Sequence, residues 1–230
     1  MSARHRFVVT GTDTEVGKTF ATCACLAAAR HRGLATGAMK PVASGCVLRH
    51  GELVSEDAAA LAAALGTGID PATINPYRFA PAIAPHLAAA EAGVAIDTGH
   101  LAERARALAA GPDFFLLEGV GGWQVPLDAR RTFADLASSL GWPVLLVVAV
   151  RLGCINHALL SAASILASGL PLAGWIANHP APPAPRAAAN IRTLCVRLPA
   201  PLLGVLPYRR DGDWGRAARR LDLDRLLTPS

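Results

Sequence analysis

The feature that most constrains this chain is a glycine-bounded loop set between an apolar run and an alanine-rich one. Residues 7–10 read as a strand and residues 18–31 as a helix, and between them lies Gly11-Thr12-Asp13-Thr14-Glu15-Val16-Gly17-Lys18-Thr19. Such a loop aims its own amides and the positive end of the helix at one point, which suits an anion. The Gly17-Lys18-Thr19 ending adds a compact positive charge and a hydroxyl there. That is the pattern of a phosphate-binding P-loop, with the lysine on the outer phosphates and the threonine on the Mg²⁺ that accompanies a nucleoside triphosphate. Five residues, where four are usual, separate Gly11 from Gly17, so the motif is carried by its strand–loop–helix setting as much as by its spacing.

The rest of the chain repeats that alternation. Apolar runs at 7–10, 35–39, 114–117, 144–150, 173–177 and 202–206 alternate with helix-like runs at 18–31, 56–65, 99–110, 133–140, 155–168 and 186–196. Continuous apolar strands are expected where both faces of a parallel sheet are covered. The reading is therefore an α/β fold of three layers, a predominantly parallel β-sheet flanked by helices, P-loop NTPase-like, with residues 1–230 as a single domain. The proline-rich stretch 180–185 is expected to be a loop.

Ligands of such sheets bind beyond the carboxyl ends of the strands. Glu118 closes the run Phe114-Phe115-Leu116-Leu117 and opens Gly119-Val120-Gly121-Gly122. A carboxylate there can serve a magnesium ion, and the Gly121 amide can meet the outer phosphate. Lys40 follows the second strand, with Ser44 close behind; it can draw on the outer phosphate or on an anionic acceptor that Ser44 orients. Lysine is rare here: of 22 basic residues only Lys18 and Lys40 are lysine. Asp57, at the start of a helix, reads first as an acid favoured by the helix dipole. The turn Leu152-Gly153-Cys154-Ile155-Asn156-His157 offers helix amides to a carboxylate. Nothing around Cys154 and His157 suggests acyl transfer, so packing and capping are the expected roles, and His86 is given none.

Composition excludes several other classes. Hydrophobic residues make up 52% and charged residues 17%, too apolar for disorder, while the apolar runs are broken well short of a membrane span. The start of the chain lacks the long apolar segment of a secretory signal, and the expected location is the cytoplasm. The net charge of +5 comes from scattered arginines. Arg209, Arg210, Arg216, Arg219, Arg220 and Arg225 alternate with Asp211, Asp213, Asp222 and Asp224, as in a solvated terminal segment. Neither a nucleic-acid nor a membrane partner is expected. Five cysteines without paired spacing are expected to be reduced and mostly buried.

Taken together, Gly11 to Thr19, Lys40-Pro41-Val42-Ala43-Ser44-Gly45, Asn75-Pro76-Tyr77, Glu118-Gly119-Val120-Gly121-Gly122-Trp123 and the 152–157 turn resemble the dethiobiotin synthetases, ATP-dependent cyclo-ligases of biotin biosynthesis. The resemblance spans residues 7–207 in order, including the five-residue spacer. It implies that 7,8-diaminopelargonic acid takes up CO₂, that ATP phosphorylates the carbamate, and that the second amine closes the ring. It further implies Thr19, Asp57 and Glu118 around Mg²⁺, and Lys40 with Ser44 beside the substrate. The same resemblance places nucleotide contacts from Thr14 through Phe20, with Thr14 also near the reacting groups, and assigns the adenine to Asn178 and Pro207. Gly153, Cys154 and Asn156 would reach the substrate carboxylate across a homodimer interface. Two other classes compete. Cobyrinic acid amidase modules carry an added glutaminase domain for which there is no room. ParA/MinD-like switches, which act on DNA or membrane, have a lysine early in the loop where this chain has Asp13.

Overall fold

A computed structural model describes residues 4–66, 68–208 and 211–227. The chain opens with β1 (His5–Gly11), α1 (Lys18–His31) and β2 (Thr36–Met39). An excursion follows: β3 (Val42–Ala43), β4 (Val47–Arg49), β5 (Glu52–Val54), α2 (Glu56–Leu65), α3 (Pro71–Ile74), β6 (Tyr77–Arg78) and α4 (Pro85–Glu91). It then returns through α5 (Thr98–Leu108) to β7 (Phe114–Gly122), α6 (Phe133–Leu140), β8 (Val144–Ala149), α7 (Cys154–Ala167) and β9 (Leu172–Asn178). Last come α8 (Ala187–Arg197), β10 (Leu202–Leu206), α9 (Trp214–Ala218) and α10 (Asp224–Leu227).

Six strands form one parallel sheet in the order β10-β9-β8-β1-β7-β2. The apolar runs are continuous because successive residues enter opposite cores. Val8, Phe115, Leu117, Leu146 and Val148 pack with α4 to α8, whereas Phe7, Val9, Phe114, Leu116, Leu145 and Val147 pack with α1, α2, α9 and α10. This is the three-layer arrangement expected. The strand order places β1 and β7 side by side, so the loops after them are neighbours along the carboxyl edge.

The expected helices at 18–31, 56–65 and 133–140 have the observed bounds. Asp135 and Thr132 cap α6 reciprocally, and Gly141, with φ of 71°, ends it. Three differences have physical causes. β7 does not stop before Glu118 but runs on to Gly122, because Gly11 pairs with Gly122 after a register shift in β1. The excursion elements β3 to β6 are two- or three-residue strands, too short to show a period. The tail is the third. Its arginines are solvated, but Ala217, Ala218, Leu221, Leu223 and Leu226 are buried against α1 and the sheet, and the Asp222 amide donates to the Leu203 carbonyl at 2.7 Å. Residues 211–227 are therefore part of the fold, while Arg209 and Arg210 lie outside the described residues. Cys23, Cys25, Cys46 and Cys154 are buried free thiols, and Cys195 is exposed. Among the described residues no helix is long and apolar enough to cross a membrane.

Leu223 is fully buried. Leu223→Ala should cost about 2–5 kcal/mol in urea unfolding with an unchanged m-value; a loss below about 0.5 kcal/mol would show that the tail is not part of the core.

Candidate active site

The phosphate loop is held open by its own backbone. Gly17 caps α1 with φ of 84°, and a side chain there would collide with the Asn178 amide. Glu15 also adopts positive φ, 58°. From the end of β9, Asn178 donates through Nδ2 to the Val16 carbonyl at 2.8 Å, which leaves its buried Oδ1 without a hydrogen-bond partner among the described residues. Lys18 is buried and donates from Nζ to the Asp13 carbonyl at 3.1 Å. Burial, and then the nearby Lys40 ammonium, lower its pKa to about 8.

At the carboxyl edge of β1, β2 and β7 four side chains converge. Thr19 Oγ1 lies 2.7 Å from Asp57 Oδ1 and 2.7 Å from Glu118 Oε1, so its single proton serves one of them at a time. Lys40 Nζ lies 2.7 Å from Asp57 Oδ2, 2.7 Å from Glu118 Oε1 and 3.1 Å from the Gly119 carbonyl. Lys40 and Glu118 are both fully enclosed. Burial alone would lower the Lys40 pKa, but Glu118 and Asp57 outweigh it and raise it. Asp57 is held below the usual carboxylate range: its own desolvation works the other way but is overcome by Lys40. The second oxygen, Glu118 Oε2, is buried and unpartnered among the described residues. A hydroxyl and two carboxylates, one with a spare oxygen, make a donor set suited to a hard cation that keeps water in its remaining positions.

Asn75 was part of a quoted motif without a role. It proves to be buried, donating from Nδ2 to the Lys40 carbonyl at 2.8 Å, while the Lys40 amide donates to the Ile74 carbonyl. Lys40 is thus fixed at its backbone as well as at its ammonium.

Two clefts open on the phosphate loop, neither of them lined by the four clustered side chains. One, of about 450 Å³, is lined by Thr14, Glu15, Ser44 and Gly121, with Ile83, Val120 and Val125 supplying apolar wall. The other, of about 240 Å³, is lined by Gly17, Phe20, Asn178, His179, Pro207 and Tyr208. The expected residues from Thr14 to Phe20, with Lys40, Ser44, Asp57, Glu118, Gly121, Asn178 and Pro207, therefore gather in one region. His179 was missed; burial lowers its pKa, and only its place directly after Asn178 could have drawn attention to it. Gly153, Cys154 and Asn156 line neither cleft: Cys154, the first residue of α7, is buried, while the capping Gly153 and Asn156 in the first turn are exposed. A larger cleft of about 500 Å³, lined by residues of α5 and α6, contains none of the expected residues.

A glycine-capped phosphate loop at the carboxyl edge of a parallel sheet, with its lysine buried and its threonine against the Asp57 and Glu118 carboxylates, defines a P-loop nucleotide-binding protein. The fold agrees: the structure is similar to the cell-division ATPase MinD of Pyrococcus furiosus (TM-score 0.54, 20% identity, 99% of this chain and 97% of that one). It is likewise similar to MinD of Aquifex aeolicus (TM-score 0.56, 15% identity, 95% and 88% covered). At these identities the likeness concerns fold alone. A family described as AAA domain matches residues 5–216. Far stronger is the match to the ATP-dependent dethiobiotin synthetase BioD of Pseudomonas paraeruginosa, 52% identical over 94% of this chain and 96% of the relative. The BioD of Aromatoleum aromaticum is 48% identical over 97% and 99%, and BioD 1 of Escherichia coli O157:H7 is 48% identical over 88% and 90%. The chain belongs to the ATP-dependent dethiobiotin synthetase family and is an ATP-dependent ligase.

Because the folded protein lowers the Lys18 pKa from 10.5 to about 8, the unfolded chain holds that proton more tightly. The Lys18 contribution to stability should therefore rise as pH climbs from about 8 to 10.5, while the buried Cys23, Cys25 and Cys46 thiols, whose pKa values burial raises, oppose it above about 9. Lys40, shifted upward, keeps its contribution throughout that window. Lys18→Met should stabilise the ligand-free protein at pH 7 by about 1 kcal/mol or more and flatten this rise. Urea titrations at pH 7 and 9.5 check both; a destabilised variant would contradict the assigned burial cost.

Proposed function

We propose that this chain makes dethiobiotin from 7,8-diaminopelargonic acid, CO₂ and ATP, with the reacting groups held between the two clefts. The observation that carries the reading is the convergence of Thr19, Lys40, Asp57 and Glu118 within 2.7 Å contacts beside a cleft lined by Thr14, Glu15 and Ser44. In this reading Thr19, Asp57 and Glu118 hold Mg²⁺, which when bound offsets phosphate charge. The buried, unpartnered Glu118 Oε2 supports that assignment.

One substrate amine adds to CO₂ and loses a proton, giving a carbamate. The carbamate oxygen then attacks the γ-phosphorus and ADP departs. Finally the second amine attacks the carbamoyl carbon, phosphate leaves, and the ureido ring closes. None of these steps needs a protein nucleophile; they need positioning and compensation of negative charge. Lys18 supplies that charge at the phosphates and Lys40 at the transferring group, while Ser44 orients the acceptor in the 450 Å³ cleft. Gly121, which lines that cleft, is assigned to the outer phosphate through its amide. In the smaller cleft the Asn178 amide, fixed through one N–H, still offers its Oδ1 acceptor and a second N–H to the base. That suits the exocyclic amine of adenine, with Phe20 and Pro207 as apolar walls.

We assign the substrate carboxylate to Gly153, Cys154 and Asn156 of a second copy. Nearby, the turn before α7 exposes Leu152, 97% exposed, and α7 exposes Leu160 and Leu166, apolar side chains that a homodimer would cover. No nucleic-acid or membrane partner is part of this reading, and the enzyme is assigned to the cytoplasm.

Incorporation of labelled CO₂ into dethiobiotin should require ATP, diaminopelargonate and Mg²⁺, and label incorporation that ignores diaminopelargonate would refute the assignment. Lys40→Ala should lower the rate at least ~100-fold. It also leaves the buried Glu118 without its counter-charge, with Thr19 as its remaining partner, so a stability loss of about 3–5 kcal/mol is expected beside the loss of turnover, and the folded fraction is measured by near-UV circular dichroism. Turnover at the parent rate would remove Lys40 from the mechanism.

A further inference from the structure

The phosphate loop carries two acids, Asp13 and Glu15, against one lysine, an awkward balance for a loop that receives a triphosphate. Asp13 is tied at every polar atom of its side chain. Its Oδ1 accepts from the Thr14 amide at 2.8 Å, and its Oδ2 accepts from Arg151 Nη2 at 2.9 Å. Its carbonyl accepts from Lys18 Nζ. Arg151 comes from a different element, the turn between β8 and α7, and both ends of its backbone are anchored: its amide donates to the Ala149 carbonyl, and its carbonyl accepts from Cys154.

We infer that Arg151 is a positioning residue for nucleotide binding: it neutralises Asp13 and so allows an acid in the anion loop to shape the backbone without repelling the phosphates. The inference rests on the nucleotide reading of that loop and goes beyond it. Asp13 earns its place by locking Thr14 through its first oxygen, a contact an amide oxygen would also make; its charge is the by-product that Arg151 offsets. The pair is about half exposed on both sides, so its attraction alone adds little to stability, whereas an uncompensated charge next to a polyanion acts over several ångströms.

The experiment is a double-mutant cycle read as ATP binding in the absence of diamine. Arg151→Met should weaken ATP about tenfold, and the defect should shrink as KCl rises from about 0.05 to 0.5 M, since salt screens the exposed Asp13 charge. Asp13→Asn, which keeps the Thr14 contact, should bind within about threefold of the parent, and D13N/R151M should recover to that level. Arg151→Lys should bind like the parent, because only one guanidinium nitrogen is in contact. A brace without an electrostatic role would leave the double variant as weak as Arg151→Met, and that result, or an Arg151→Met protein that binds like the parent, overturns the inference. Thermal unfolding of each variant separates misfolding from weakened binding. If the parent itself failed to bind ATP, the functional reading would fall with it; a binding parent with an unrescued double variant removes only the role of Arg151.

Discussion

The structure depends on a buried charge held in balance. Glu118 stands on β7, one strand in from the edge of the sheet, with no exposure to water, and Lys40 lies beside it, almost as enclosed. Removing two such ions from water costs several kcal/mol each, which their attraction repays only when geometry and hydrogen bonding are good. Here both conditions hold. Lys40 has Glu118, Asp57 and a backbone carbonyl as acceptors, and Asn75 fixes its main chain. The arrangement also limits chemistry: a divalent cation held by the same carboxylates would compete with the Lys40 ammonium for its partners.

The same edge explains why so much of the site could be read from the chain. Gly17-Lys18-Thr19 after a strand, and Glu118 at the end of another, are positional signals. A parallel sheet turns them into proximity, because all strands end on one side. Asp57 was the harder residue. By position it is an ordinary first-turn helix acid, and only the family resemblance pointed to a metal; the structure brings it 2.7 Å from both Thr19 and Lys40. Asn75 acts through a side chain whose acceptor, the Lys40 carbonyl, lies 35 positions away, and no local pattern reports such a contact; His179 is drawn in by its place on the smaller cleft.

The fold was legible where segments were long and apolar. Continuous runs such as 144–149 could be read because both faces are covered, and the capped helices could be bounded. The two-residue strands β3 and β6 left no periodic trace. The tail misled through its charge. Its arginines occupy the outer face, and the leucines between them, spaced as in short helical turns, seal the core. Counting charges identified the outer face and said nothing of the inner one.

That tail has an implication for how the protein is made. Its buried leucines pack with α1, the helix that carries the phosphate loop, and Arg32 at the end of α1 pairs with Asp224, 192 positions along the chain. The outer side of α1 therefore stays uncovered on the ribosome until nearly everything else has emerged. The first functional loop to be synthesised is among the last to mature, and contacts of such long range are slow to form.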